Sequence, residues 1–500
     1  LRHPMNQYFP IFLFPVLLVG AVTAWANKFN NEALDQQMSR YYLREEIPMP
    51  KDVVFEPGSI ALLPDQRIAV GTRRGEVWIC EGAYGDDLSK VTWTPYFKGL
   101  HEPLGMYWQD GALYYTDREQ FGRLVDRNGD DRPDWVETIS APWGLTGNYH
   151  EYAFGTTPDP QGNVFITLCL TGSFDASAQW RGWVMKIAVD GTATPYASGV
   201  RSPGGIGYDV EGNLYYTDNQ GVWNGTSCLK HVVEKKFTGC PIGNVYYKDA
   251  PNMGPQPPDP INQSRIVVER ERIPELVPPA IQFPHGLVGQ SPTAIIPDHT
   301  AGKFGPFAGQ LLVGEQTHSE VQRVFLETVN GVRQGAVWEF LSGFEAGIVP
   351  MRLSDGGALF IGGTNRGWGS RGSKPFTFER VRWNKVVPFE TKTMEALPDG
   401  FRLTFTEPVD PATAGDLASY QAKAWTYIYQ KKYGSPMVDQ VDANVTSARV
   451  APDGLSVELT VSPLTKGHVH HLQSAGVRSK SGQPLWHPDA YYTLNEIPNP

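Results

Sequence analysis

Apolar and polar positions alternate in short runs along most of the chain, and turns rich in Asp, Asn, Gly and Pro interrupt them. The stretch Leu214-Tyr215-Tyr216-Thr217, which follows Asp209 and Gly212, is typical. A period of two bounded by turn residues predicts short, half-buried strands. One such stretch, "RSPGGIGYDVEGNLYYTDNQG" from Arg201, has close counterparts elsewhere: "PGSIALLPDQRIAVGTRRGEVW" from Pro57, "PLGMYWQDGALYYTDREQFGRLV" from Pro103 and "YAFGTTPDPQGNVFITLCL" from Tyr152. These copies, the last aligned from Pro203, start 46, 49 and 51 residues apart. Two more begin at Pro292 and Pro350 after longer insertions.

Each copy reads as an apolar strand, a turn, an alternating strand and a more polar strand. That is the pattern of a four-stranded antiparallel blade whose inner strand is short and rich in small residues because it crowds a central axis. Six copies predict an all-β fold, a six-bladed β-propeller over residues 50–385. Its chemistry is expected on the loops at one mouth of the channel. The register is lost after Trp383, where "FRLTFTEPVDPATAGDLASYQ" from Phe401 and "ARVAPDGLSVELTV" from Ala448 alternate differently. Residues 388–497 therefore read as a small Ig-like β-sandwich, similar to bacterial Ig-like modules that trail many secreted enzymes. The Pro-rich segment 252–264 reads as a long surface loop.

Composition supports strands: 52 Gly, 41 Pro and 12% aromatic residues in 500. A net charge of −10 with no basic block excludes nucleic acid as a partner. At the N-terminus, an apolar run from Tyr8 to Trp25 ends in Ala24-Trp25-Ala26, so residues 1–26 are expected to be a signal peptide, or else a retained membrane anchor. Either way the folded part is expected to be periplasmic or secreted. Cys228 and Cys240 could form a local disulfide there, while Cys80 and Cys169 could pair or stay buried. No Cys-x-x-Cys-His motif for covalent haem occurs.

The repeats, with "GVRSPGGIGYDVEGNLYYTDNQGVW" and the downstream "LKHV", resemble the sugar and sorbosone dehydrogenase superfamily of six-bladed propellers, in its branch of large secreted "membrane-bound dehydrogenase" homologues. The resemblance covers roughly residues 50–385. It implies pyrroloquinoline quinone (PQQ) as cofactor, calcium, and hydride removal from a sugar. It assigns His150 in "GNYHEYAFG" as catalytic base and Arg201 in "VRSP" as the residue beside the quinone carbonyls. A neutral imidazole suits a proton acceptor, and a guanidinium suits adjacent carbonyl or carboxylate oxygens. Ser202, Asp218, Asn219 and Arg366 are further candidates for holding the cofactor. Three positions depart from the pattern: Ser202 stands where Asn is usual, "EQTHSE" (315–320) replaces a Lys, and an Arg-x-Arg-Asp pair is reduced to Arg352.

A second candidate lies in "DRNGDDRPDWVE". Asp126, Asn128, Asp130, Asp134 and Glu137 have the spacing of an EF-hand-like loop, with Arg132 supplying a carbonyl, although Asp131 replaces the turn glycine. Calcium or an empty acidic turn both fit. His231 reads as a strand residue. His468 and His470, with His471 beside them, share a strand face and are either metal ligands or exposed edge histidines. "NRGWGSRG" (365–372), with Arg366, Trp368 and Arg371, is either a platform for an anion or sugar or a plain turn.

Two functions are expected to compete. One is an exported sugar or alcohol oxidoreductase that uses a quinone and passes electrons to a separate cytochrome. The other is a non-redox carbohydrate-binding propeller, or a metal-dependent hydrolase or lyase with Asp218, Asn219 and Glu315 as ligands.

Overall fold

The computed structural model describes residues 36–500, so the expected signal peptide or anchor lies outside the described residues. The fold is almost wholly β. Five four-stranded antiparallel sheets stand as separate blades: residues 57–98, 105–140, 153–198, 203–283, and a closing blade of residues 348–383. The closing blade is completed by the N-terminal strand Tyr42–Glu46, paired antiparallel to Phe376–Trp383. The expectation of six separate blades is corrected here. Strands 292–341, which the repeat register assigns to a further blade, open an eleven-stranded sheet that runs on through the C-terminal strands. The junction is the pairing of Val332–Leu341 with Asp489–Leu494. Trp338 from that hairpin and Tyr492, Phe401 and Leu459 share one core.

The inner strands Pro57–Leu62, Gly105–Gln109, Ala153–Gly155, Pro203–Tyr208, Pro292–Pro297 and Ile348–Leu353 neighbour one another in that order and close into a ring. Proline begins several of them, where a missing N–H costs no ladder bond. Crowding at the axis explains "PGGIGY": a Cβ on Gly205 would lie 2.6 Å from the Thr293 carbonyl oxygen, and one on Gly207 2.6 Å from that of Ile295. Only glycine lets these two backbones approach so closely.

The turns are equally local. Asp209 accepts the backbone N–H and side-chain amide of Asn213 at 2.9 and 3.1 Å, and Asp159 holds Asn163 in the same way at 2.8 and 3.1 Å. The recurring Asp-x-x-Gly-Asn is thus a hairpin device, not a catalytic loop. Among the described residues no helix is long and apolar enough to cross a membrane. All four cysteines are free and buried, and Cys228 and Cys240 are not bridged. Cys228 points its thiol at Asn224 Oδ1 instead, 3.2 Å away.

Candidate functional site

A cavity of about 510 Å³ opens at one mouth of the ring. Every blade contributes, because the loops preceding the inner strands and those following the second strands all emerge on this face. His150, Arg201, Ser202, Asn219 and Arg366 line it together. Its lining contains three Arg and two His but no Asp or Glu, in a protein whose net charge is −10.

Asp218 does not reach the cavity. It is fully buried and accepts the Lys230 ammonium at 2.9 Å, the Ser202 N–H at 2.7 Å and the Tyr216 hydroxyl at 3.3 Å. Its carboxylate therefore ties the Arg201 loop to the blade and is neutralised by Lys230. Arg201 is left with carbonyl acceptors only, Gln220 at 2.7 Å and Asn219 at 3.2 Å. Its Nε–H is buried without a partner, and no carboxylate among the described residues pairs with it. The guanidinium lies between the Phe174 and Tyr433 rings, 5.7 and 5.2 Å from their centroids. Gly221 makes room for it, since a Cβ there would sit 1.9 Å from Cζ.

His150 is held by its own loop, its N–H donating to Asn148 Oδ1 at 3.0 Å. Burial, and then the positive charges of Arg201 and Arg118, hold its imidazole below the ordinary histidine range. That favours the neutral imidazole, the form able to accept a proton. The loop is anchored by a triad of charges that the sequence analysis did not single out. Glu102 is buried between Arg73 and Arg118, with contacts of 2.6 and 2.7 Å. Arg118 in turn donates to the carbonyls of Asn148 and Tyr149, and Arg73 to the hydroxyls of Tyr149 and Tyr152 at 3.3 Å. One signal was available: Glu56 and Glu102 both precede the proline that opens a repeat.

One wall comes from the C-terminal region. Segment 429–435 is laced onto loop 219–225: the Trp223 N–H donates to the Gln430 carbonyl at 2.7 Å and the Gly434 N–H to the Gly221 carbonyl at 3.0 Å. This delivers Tyr433 to the cavity. On another wall, Gln316 and Thr317 stand in the segment where the resemblance expects a Lys. Arg352 lies below the floor and reaches to the Met106 carbonyl at 3.2 Å.

The acidic loop is elsewhere, in the turn between the third and fourth strands of the second blade and so on the face opposite the cavity. Its side chains serve the loop itself. Asp126 accepts the N–H groups of Gly129 and Asp131 at 2.7 and 2.8 Å, Asp130 that of Arg132 at 3.0 Å, and Asp134 that of Arg127 at 3.1 Å. Asn128 turns to Asp130, and Glu137 pairs with Arg123 at 2.7 Å across the ladder. Among the described residues no three His, Cys, Asp or Glu groups are placed to hold a metal. In the structure Asp126, Asp130 and Asp134 serve side chain-to-backbone turns, while Asn128 and Glu137 meet Asp130 and Arg123.

The hydrolase set is likewise dispersed. Both Glu315 oxygens accept N–H groups of Gln290, Ser291 and His318, so Glu315, like Asp218, is a loop tie. His231 is a half-buried strand residue stacked on Tyr215. His468 bonds the Asp439 carbonyl at 3.1 Å, His470 accepts the Thr465 N–H at 3.2 Å, and His471 meets Asp489 at 2.7 Å, three separate environments.

No protein-family profile and no curated protein matches the chain. Solved structures do match. A putative oxidoreductase (glucose dehydrogenase) from Thermus thermophilus is similar with 17% identity over 68% of this chain and 99% of that one, at a TM-score of 0.49. The PQQ-bound aldose sugar dehydrogenase of Streptomyces coelicolor follows at 13% identity, 69% and 98% coverage and a TM-score of 0.48. A putative gluconolactonase has 12% identity, 69% and 92% coverage and a TM-score of 0.39.

Proposed function

We propose that the chain is a sugar or alcohol oxidoreductase that uses an anionic quinone of the PQQ type. The observation that carries this reading is the pairing of a neutral His150 with Arg201 in a cavity whose lining has no carboxylate. The residues present fit such a group. Arg201 offers a positive charge that no carboxylate neutralises, Ser202 and Asn219 offer neutral polar groups, and about 510 Å³ lies within the range of cofactor sites. When bound, the quinone supplies a two-electron acceptor for the hydride of a carbinol C–H.

His150 then takes the proton of the same carbinol hydroxyl, which leaves a carbonyl product. Arg201 orients the acceptor's oxygens, and the Glu102 ties fix the loop that presents His150. Calcium, which the resemblance also implies, would meet only neutral oxygens here, so no step is assigned to it. With no haem motif in the chain, electrons would pass on to a separate carrier protein. The hydrolytic alternative is less well supported, because Asp218 and Glu315 are engaged beneath the cavity walls.

Dye reduction tests the reading. Purified protein supplied with PQQ and an aldose series is expected to reduce an artificial acceptor, and His150→Ala to abolish this with the fold retained. No reduction with any aldose or polyol, or full activity in His150→Ala, would refute it.

A further inference from the structure

Five large aromatic side chains are exposed among the described residues: Trp135, Tyr149, Phe174, Trp368 and Tyr433. Four of them gather at this one cavity. Phe174, Trp368 and Tyr433 line it, more than half exposed, and Tyr149 meets the His150 ring edge-on at 5.3 Å. Exposed aromatic area so concentrated marks a place where a ligand covers it.

The rings form two platforms. Trp368, in the loop of the closing blade, lies 6.1 Å from His150. Phe174 from the third blade and Tyr433 from the C-terminal region lie 6.3 Å apart and flank Arg201. Trp368 and Phe174 come from blades whose inner strands stand three places apart in the ring of six, and both platforms line the one mouth.

The polar groups between them state what the ligand must offer. Gln316 is buried, lines the cavity, and its Oε1 has no donor. Asn219 Oδ1 is unpartnered in the same way. The lining offers neutral polar side chains, Ser202, Asn219, Gln316 and Thr317, and no carboxylate, which suits the hydroxyl rim of a sugar. A pyranose has both a hydroxyl rim and an apolar C–H face that stacks on an aromatic ring, and two platforms can stack two rings.

We propose that the mouth binds a glycan chain of at least two sugar rings, with Trp368 as one stacking subsite and the Phe174–Tyr433 pair as the other. This rests on the carbohydrate reading of the cavity. It makes segment 429–435 a part of the binding site and Tyr433 a residue that selects chain length.

The test is calorimetric titration of the full chain, without cofactor, against cello- and malto-oligosaccharides of one to six rings. In one of these series affinity is expected to rise on the order of tenfold between one ring and three, as a second stacked ring is added, and then level off. Trp368→Ala and Tyr433→Ala should each remove the step, and Tyr433→Phe should keep it. All of these side chains are exposed, so unchanged melting curves will show that the fold is intact. Equal affinity for one ring and several, no binding in either series, or a step that survives both alanine variants would overturn the proposal. Dye reduction separates this from the redox reading. A length step without any dye reduction supports the glycan site and refutes the oxidoreductase. Monosaccharide oxidation without a length step does the reverse.

Discussion

Lys230 places its ammonium 2.9 Å from the Asp218 carboxylate beneath the loop that carries Arg201. The pair is fully desolvated, and it engages the acid that lies beside the Arg201 backbone. The cavity thus keeps a cation in reserve for a ligand, in a protein that is otherwise acidic. Removing one partner of such a pair leaves an uncompensated buried charge. Lys230→Met is expected to lower stability by about 3–5 kcal/mol, and Asp218→Asn in the same chain to restore part of it. Denaturant unfolding reads both, and a loss below about 1 kcal/mol for Lys230→Met would place the pair among the weak surface bridges.

Arg201 also sets the protonation of His150. Burial contributes most to the lowered imidazole, and the guanidinium adds to it. Removing the positive charge must move the histidine upward, toward its ordinary value. Arg201→Gln is expected to raise the His150 midpoint in an NMR titration. A downward or absent shift would mean that the two side chains do not face one another.

Much of this was legible in the repeat. The Asp209–Asn213 turn and the "PGGIGY" strand follow from local chemistry, and the register alone brings His150 and Arg201 to one mouth. Lys230 was not legible as the partner of Asp218, because strand pairing sets Asp218 opposite Cys228 and reaches Lys230 only along the neighbouring strand. Glu137 misled for a similar reason. Counted along the chain it is a twelfth-position ligand, but it lies on a strand opposite Arg123, and the ladder sets its direction. Nothing local marks Tyr433 as a cavity residue, since its arrival depends on the long-range pairing of Val332–Leu341 with Asp489–Leu494. The expectation of a trailing module hid that contribution.

The acidic loop makes its own test. Asp126 serves two backbone N–H groups, so Asp126→Ala is expected to cost about 0.5–2 kcal/mol, as loss of a capping side chain does. The loss should be the same in calcium and in chelator. A calcium-dependent rise in melting temperature that disappears in Asp126→Ala would show instead that these carboxylates converge on an ion.

Reductant is expected to leave the melting temperature unchanged, because all four cysteines are free. Burial pushes the Cys228 thiol up to about 12 and that of Cys240 to about 11. Alkylation should therefore be negligible in the folded protein and complete at four sites in denaturant. A gel shift on reduction of the unfolded chain would reveal a bridge.

The central claim is that Arg201 is an uncompensated cation held for an anionic acceptor. Calorimetric titration of PQQ into the wild-type chain and into Arg201→Gln measures this most directly. The account predicts one binding site in the wild type and affinity weakened by roughly tenfold or more in the variant, the worth of a charge-assisted hydrogen bond. No binding to the wild type, or equal affinity for both proteins, would contradict it.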